Sequence, residues 1–285
     1  MPGNRVCLFT RVKQITTTHD LMEWHSLKIF RYYKNRSLKE NFYFFRQKAY
    51  LWAVYRLGLS FSDHVLTISQ YSKRDITQSF PKLKNKSSYV YHGIPRGFKP
   101  PLNNTSKQGV LMLGGDSHQK NPENMLKAWA QLPKELKKAH PLTILGFVGG
   151  EDSIISKTIR ALEIENDIVI KGWVTEDELI QAMQTSKVFV FASREEGFGF
   201  PLVQSMASGT PVVTSEADVL IEIGQDAICS AKAEDFLALS SAVRSLLTDD
   251  KLYNEKVQKG LTISSKFTWE HTAEHIASTY LTLLK

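Results

Sequence analysis

The sequence predicts an α/β fold in which helices cover a parallel sheet. From about residue 109 onward, apolar runs of strand length alternate with segments of helical spacing. That alternation is typical of parallel sheets wrapped by helices. The chain has 285 residues, 42% of them hydrophobic and 23% charged, which is ordinary for a globular protein and long enough for two domains.

The regular region is complete enough to assign element by element. Its predicted strands are short apolar runs, at 109–115, 142–150, 167–174, 188–193 and 210–215. Its predicted helices lie between them, at 121–132, 151–166, 175–187 and 201–208. Ligands of such sheets bind beyond the carboxyl ends of the strands, so the segments that follow the strands form the candidate site.

The first third of the chain is less regular. Its predicted elements are a strand at 13–21, a basic helix at 38–57, a strand running into a helix at 62–76 and a strand at 86–94. One stripe of the basic helix carries Phe42, Phe45, Ala49 and Trp52.

A linker is predicted at residues 99–108, because the surrounding stretch holds three prolines and many turn formers. It separates an N-terminal domain at 1–98 from a C-terminal domain at 109–285. The end of the chain, FTWEHTAEHIASTYLTLL, is predicted to form a closing helix, and it resembles a family helix that often packs back on the N-terminal domain.

The charge is distributed unevenly. Residues 1–100 hold 18 Lys and Arg against 5 Asp and Glu, and the remainder holds 18 against 24. The two balances, +13 and −6, give the net charge of +7. An anionic membrane surface is one partner that this pattern favours, and a solvated basic face is the alternative. We expect no nucleic-acid partner, because the basic region carries no familiar binding motif.

The two cysteines, Cys7 and Cys229, have neither metal-ligand spacing nor the number that a disulfide framework needs. Such a composition suits a reducing compartment. No apolar run approaches the roughly 20 residues of a membrane span. We therefore expect a cytoplasmic protein.

The glycine loop from Glu196 to Pro201 follows one predicted strand and opens a helix. Glycines let the backbone approach a ligand closely, and the amides at a helix start favour phosphate. A carboxylate at Glu196 would accept hydrogen bonds from ligand hydroxyls. The structural alternative is a helix-capping acid beside a tight turn.

The longer stretch SREEGFGFPLVQSMASGTPVVTS, residues 193–215, resembles the donor-site signature of the retaining glycosyltransferases of family 4 (glycosyl transferases group 1), which have the two-domain GT-B fold. The resemblance implies that Glu196 binds the transferred sugar. The amides that it places against the diphosphate are those of Gly197, Phe198, Gly199 and Phe200. The family's second acid, which holds the ribose, is Gln204 here, whose amide can still accept and donate.

A second match is GGDSHQKN, which begins at Gly114. Lys120 fits the family's diphosphate-binding lysine, and Gly115 stands where the family usually has an arginine. A cation stabilises the charge that builds on the departing diphosphate. A second cation would have to come from His118 or Arg194. Without the neighbouring match, a lone lysine would be read as a surface residue.

Two further segments match more weakly. Trp173 and Val174, at the end of KGWV, resemble the strand end whose backbone reads the nucleotide base. His19, in TTTHDL, resembles a histidine that faces the cleft near the reacting sugar or acceptor in relatives. A lone histidine after a strand is more often structural.

The resemblance covers about residues 13–285. It implies a GT-B-like fold with a complete C-terminal Rossmann-like donor domain and a partial N-terminal Rossmann-like acceptor domain. The family's N-terminal domain is normally longer and begins with a strand and a glycine-rich loop. The chain is therefore expected to be a fragment or truncated product, to need a second polypeptide for the missing part, or to have a minimal domain.

The implied reaction is retaining transfer of a hexose, mannose among the candidates, from a nucleoside diphosphate sugar to a hydroxyl of a glycan or lipid-linked acceptor. Glu196, Lys120 and His19 are the expected catalytic residues, and no metal or other cofactor is expected. The implied setting is surface polysaccharide or lipopolysaccharide assembly. The basic, aromatic first third of the chain favours peripheral contact at the inner face of the plasma membrane. The alternatives are a non-catalytic nucleotide-binding remnant and a sugar-nucleotide epimerase of the same fold.

Overall fold

The computed structural model describes residues 12–29, 38–102 and 106–284. Parts of the predicted N-terminal domain and linker, at 1–11, 30–37 and 103–105, lie outside the described residues. The chain divides into two compact units. The first is Met1–Gly93 together with Trp269–Lys285, and the second is Ile94–Thr268.

The first unit is built on a three-stranded parallel sheet in the order β1-β2-β3. Its strands are β1 (Ile15–Thr17), β2 (His64–Thr67) and β3 (Ser87–Tyr89). Its first helices are α1 (Met22–Ile29), α2 (Leu38–Ala53), α3 (Leu59–Phe61) and α4 (Gln70–Ser79). The predicted strands of this region are confirmed but shorter, and α1 was not predicted.

The closing helix, Trp269–Leu284, belongs to the first unit rather than the second. Ile276 and Leu283 pack against a small cluster of Ile15, Leu66 and Val90 from the sheet region. The Thr272 hydroxyl donates to the carbonyl of Tyr91 at 2.8 Å. The end of the chain therefore covers the sheet that its beginning forms.

The predicted basic helix is confirmed as α2, which continues into a π-helical turn at Val54–Gly58. Its aromatic stripe is exposed: Phe42, Phe45 and Trp52 are 64%, 70% and 51% exposed. Leu51 lies on another side of the helix and packs against the core of the unit. Among the described side chains of α2, Leu51 thus contacts the core, and the aromatic stripe faces outward.

The second unit is a six-stranded parallel sheet in the order β6-β5-β4-β7-β8-β9. Its strands are β4 (Val110–Leu113), β5 (Leu142–Leu145), β6 (Ile168–Lys171), β7 (Val188–Phe191), β8 (Val212–Ser215) and β9 (Cys229–Ala231). Five of these confirm predicted strands, and β9 was not predicted. The strand order reverses between β4 and β7, which is the Rossmann arrangement.

Helices connect the strands of this sheet, and two more follow its last strand. They are α5 (Pro122–Ala130), α6 (Lys134–Ala139), α7 (Ile154–Leu162), α8 (Glu176–Thr185), α9 (Phe200–Ala207), α10 (Asp218–Gly224), α11 (Phe236–Thr248) and α12 (Asp250–Ser264). Several begin where side chains accept from first-turn amides, as Ser153 does for α7 and Thr175 for α8. Buried residues of β4, β5, β7, α5, α7 and α11 form one hydrophobic core.

The described residues of the predicted linker, and Phe98 just before it, belong to the second unit. Phe98 is buried, the carbonyl of Lys99 accepts from Gln184 at 2.7 Å, and the Lys107 ammonium donates to Ser208 and Thr210. The boundary between the two compact units therefore lies after Gly93, five residues before the predicted end of the first domain at residue 98. No helix in the described parts of the chain is long and apolar enough to cross a membrane.

Candidate functional site

The candidate site lies where the strand order of the second sheet reverses. Strands β4 and β7 are parallel neighbours, and their connections leave in opposite directions along the sheet. Such a point opens a crevice at the carboxyl ends of the two strands. Segment 114–121 follows β4 and segment 192–199 follows β7, so both predicted motifs come to this crevice.

Lys120 and Glu196 meet across the crevice. The Lys120 ammonium lies 2.7 Å from Oε1 of Glu196, and their side chains are 40% and 11% exposed. The ammonium also lies 5.8 Å from the centre of the Phe191 ring. A cation and a carboxylate separated by 76 residues in sequence therefore form one charged pair at the edge of the sheet.

Two glycines shape the β4 side of the crevice. A Cβ atom on Gly115 would lie 2.7 Å from Cγ of Lys120, so the lysine stem occupies the space of a side chain at 115. A Cβ atom on Gly114 would lie 2.8 Å from the backbone nitrogen of Phe147. Neither position has room for a side chain beside its present neighbours.

The turn after β4 is anchored at both ends. The Asp116 carboxylate accepts from the amide of Ile155, and the Ser117 hydroxyl accepts from the amide of Lys120. Asn121 adopts a left-handed backbone with φ of 57°, and its amide donates to the carbonyls of Ala192 and Ala233 at 2.9 and 2.8 Å. Asn121 therefore joins the segments that follow β4, β7 and β9.

The glycine loop after β7 turns sharply into α9. Gly199 has φ of 91°, and a Cβ atom there would lie 2.7 Å from Cδ2 of Leu220. Phe198 is buried, with its ring edge-on to the rings of Phe200 and Phe267 at 5.0 and 5.8 Å. The loop backbone, with Gly197 also buried, is thus held by an aromatic anchor beside Glu196.

The other candidates in this unit lie around the same edge of the sheet or along α9. Gln204 is half-buried in α9. Trp173 and Val174 follow β6, with Trp173 83% exposed. In the sheet, β5 separates β6 from β4, so these two residues sit at the far side of the crevice from Glu196.

His19 belongs to the first unit, where it follows β1. Its ring is 5.5 Å from the ring of His92, edge to face, and the His92 ring is 5.3 Å from that of Trp269. Burial lowers the pKa of His92 to about 4, with a smaller contribution from the neighbouring His19. His92 is therefore neutral at physiological pH, and it was not among the predicted residues.

Among the described residues, neither candidate for a second cation forms an ion pair with Glu196 as Lys120 does. The Arg194 guanidinium is bound to the carboxylates of Glu123 and Glu234, at 2.8 and 2.6 Å. His118 is 80% exposed. Glu234, which was not predicted, follows β9, and only the fold brings it close to Arg194. Its hydrogen bond from Arg194 lowers the pKa of the Glu234 carboxyl.

Within the described residues, no group of three or more His, Cys, Asp or Glu side chains has the arrangement of a metal site. The arrangement that is present, a half-exposed ammonium beside a carboxylate and a glycine-opened helix, suits an anionic ligand that also carries hydroxyls.

Comparison with known proteins gives consistent matches. Residues 95–262 match the family model of the glycosyl transferases group 1. The O-antigen chain mannosyltransferase B of Escherichia coli is 29% identical over 76% of this chain and 60% of its own length. The serotype-specific mannosyltransferase WbdA of the same organism is 30% identical over 59% of this chain and 21% of its own length.

A solved structure extends the likeness to the fold. Alr3699/HepE of Anabaena, in complex with UDP and glucose, matches 94% of this chain and 72% of its own with a TM-score of 0.73 and 18% identity. The predicted GT-B-like α/β class is thereby confirmed. The chain spans about three fifths of the first of these curated relatives and about one fifth of the second.

Proposed function

Because the chain belongs to the glycosyl transferases group 1 family, we propose that it transfers a sugar from a nucleoside diphosphate to a hydroxyl of a glycan or lipid-linked acceptor. The observation that carries the proposal is the Lys120–Glu196 pair at the switch point of the sheet. In the free protein each charge neutralises the other. In the proposed donor complex, Lys120 turns to the diphosphate and Glu196 is released to the sugar hydroxyls.

The remaining donor contacts follow from the places of the other residues. The amides of Gly197 to Phe200 would bind the diphosphate at the start of α9. Gln204 would hold the ribose, and the backbone at Trp173 and Val174 would contact the base. His19, in the first unit, is proposed as a further catalytic residue. Gly114 and Gly115 leave the crevice open and let the Lys120 stem cross it.

The proposed chemistry is transfer with retention of the anomeric configuration. The bond between the anomeric carbon and the diphosphate oxygen breaks, and the acceptor oxygen forms its bond on the same face. The acceptor proton passes to the leaving phosphate. Lys120 and the loop amides stabilise the charge on the diphosphate, so we propose that turnover needs no metal and is unaffected by EDTA.

The sugar and its setting are proposed from the relatives. Two E. coli relatives are named mannosyltransferases, one of them for the O-antigen chain, which supports a hexose and particularly mannose. The Anabaena structure holds UDP and glucose. We accordingly propose a role in surface polysaccharide or lipopolysaccharide assembly in the cytoplasm.

Helix α2 supports a peripheral contact with an anionic membrane. Phe42, Phe45 and Trp52 form an exposed aromatic stripe, and the exposed cations Arg46 and Lys48 flank it. Aromatic residues beside cations are typical of helices that lie in a membrane interface. A lipid-linked acceptor would then be met at the inner face of the plasma membrane.

Flotation with vesicles of phosphatidylglycerol or phosphatidylcholine tests this contact. We expect the chain to float with the anionic vesicles only, and expect Phe45→Ser with Trp52→Ser to remain in the soluble fraction. Leu237→Ser, which also removes an exposed apolar side chain but from α11, should float like the parent. Equal flotation with both vesicles, or of both variants, would remove the membrane proposal.

Incubation with UDP- and GDP-hexoses tests the function itself, with and without octyl mannoside and octyl glucoside as acceptors. Release of nucleoside diphosphate that requires an octyl glycoside supports the transferase. An isomerised nucleotide sugar without acceptor would establish the epimerase alternative. Saturable nucleotide binding without any turnover would make this chain a binding remnant or a partner-dependent subunit.

A further inference from the structure

Arg194 joins three segments that surround the proposed donor site. Its guanidinium donates to the carboxylate of Glu123, at the start of α5, to that of Glu234, after β9, and to the carbonyl of His118. Its own backbone amide donates to the carbonyl of Gln119 at 2.8 Å. Arg194, which follows β7, therefore binds the loop after β4 through both its side chain and its main chain.

We propose that Arg194 is a positioning residue that sets Lys120 opposite Glu196, and so determines how tightly the diphosphate is held. The inference rests on the proposed donor site. It assigns Arg194 to the geometry of the site, in place of the second cation that the sequence alone suggested.

Hydrogen bonds between the loops that follow β4 and β7 fix the register in which Lys120 and Glu196 meet. Gln119 is tied to Arg194 by the backbone bond, and its side-chain amide donates to the carbonyl of Glu195 at 3.1 Å. Lys120 is the next residue after Gln119, and Glu196 is the next residue after Glu195. The hydrogen bond from Gln119 to Glu195 thus joins the two residues that immediately precede Lys120 and Glu196, and it brings the ion pair into register.

The Arg194 side chain gives these bonds their rigidity. It is only 14% exposed, and its two carboxylate partners belong to other segments of the chain. Glu234 accepts from Asn124 at 3.0 Å, and Glu123 belongs to the first turn of α5. The planar guanidinium can bind several acceptors at fixed angles, which a lysine ammonium cannot reproduce. A change at 194 should therefore move the 118–120 turn and its lysine without removing any group from the ligand.

Calorimetric titration of Arg194→Gln and Arg194→Lys, with whichever of UDP, GDP and ADP binds the parent chain, tests the proposal. We expect roughly tenfold to hundredfold weaker binding for Arg194→Gln, the loss typical of a misplaced binding group, and a smaller loss for Arg194→Lys. Lys259→Gln is the matched control, because Lys259 on α12 also binds two carboxylates. They are Glu255 on the same helix and Asp226 in the turn before β9. Lys259→Gln should bind as the parent does.

A double-mutant cycle with Lys120→Ala separates positioning from general loss of structure. If Arg194 acts through Lys120, Arg194→Gln should weaken binding by less than about twofold once Lys120 is absent. An equal loss in both backgrounds, or normal binding by Arg194→Gln in the parent background, would overturn the inference while leaving the donor site in place. Failure of the parent chain to bind any of the three nucleotides would remove the donor site as well.

Discussion

The ammonium of Lys120 lies 2.7 Å from the carboxylate of Glu196, although the two belong to different strand-to-helix connections of the sheet. Parallel strands β4 and β7 bring the connections to one crevice, and Gly115 leaves the space that the lysine stem crosses. The contact places the two most specific sequence matches in one site.

Removal of Lys120 should weaken diphosphate binding directly. A hydrogen bond to a charged group contributes about 1.5–3 kcal/mol, so Lys120→Ala should bind the nucleoside diphosphate roughly tenfold to hundredfold more weakly. Lys127→Ala is the control, since Lys127 lies on α5 over the ring of Phe236. Calorimetry on both variants measures the difference, and equal affinities would exclude Lys120 from the site.

An arginine at position 115, which the family resemblance leads one to expect there, should not supply a second cation here. Its Cβ atom would lie 2.7 Å from Cγ of Lys120, so the lysine must leave its present path. We expect Gly115→Arg and Gly115→Ala both to bind the nucleotide several-fold more weakly than the parent, because each displaces Lys120. Tighter binding by Gly115→Arg would show that the crevice accommodates both cations.

Gly199→Ala should destabilise the second unit by about 1–3 kcal/mol, since a side chain there combines a left-handed backbone with a clash against Leu220. Gly150→Ala is the matched control, because a Cβ atom at Gly150 meets nothing within 4 Å. Chemical denaturation of the two variants gives the difference. Similar midpoints for both would mean that the loop after β7 relaxes more readily than its packing implies.

The stability of the first unit should fall in mild acid because of His92. Its folded pKa is about 4, below the unfolded value of roughly 6.5. Between these values the unfolded chain binds the proton more readily, so the stability from neutral His92 is present above about pH 6.5 and is lost as the pH falls toward 4.

Thermal melts of the parent and of His92→Asn, at about pH 7 and about pH 5, measure this contribution. We expect the melting temperature of the variant to fall less between the two conditions. His118→Asn removes an exposed histidine and should behave as the parent does. An unchanged pH dependence in His92→Asn would assign the acid sensitivity to other groups.

The sequence predicted most of the second sheet because β4, β5, β7 and β8 are largely buried and read as continuous apolar runs. Strand β6 was predicted from its apolar run as well, although most of it is exposed. Strand β9 was missed, since Cys229, Ser230 and Ala231 form a short run without branched apolar side chains. Helix α1 was missed for a related reason: MEWHSLKI carries little apolar periodicity.

Some residues of the candidate site could likewise be predicted from the sequence, and others could not. Lys120 and Glu196 could be identified because each stands in a recognisable local motif. Glu234 could not, because it is 40 residues from Arg194 and only the parallel order of β7, β8 and β9 brings it near. Sequence alone also suggested Arg194 as a spare cation, since the two carboxylates that bind it are distant along the chain.

The roles proposed for Glu196 and Lys120 are tested most directly by titrating Glu196→Gln and Glu195→Gln, each with the matching nucleoside diphosphate and with its sugar conjugate. If Glu196 holds the transferred sugar while Lys120 holds the diphosphate, Glu196→Gln should bind the nucleotide at least as tightly as the parent, because Lys120 no longer has to leave an ion pair, and should lose the additional affinity that the sugar confers. Glu195→Gln, which changes the exposed neighbouring acid, should bind the nucleotide and its sugar conjugate as the parent does. Retention of the full sugar contribution in Glu196→Gln would contradict the account.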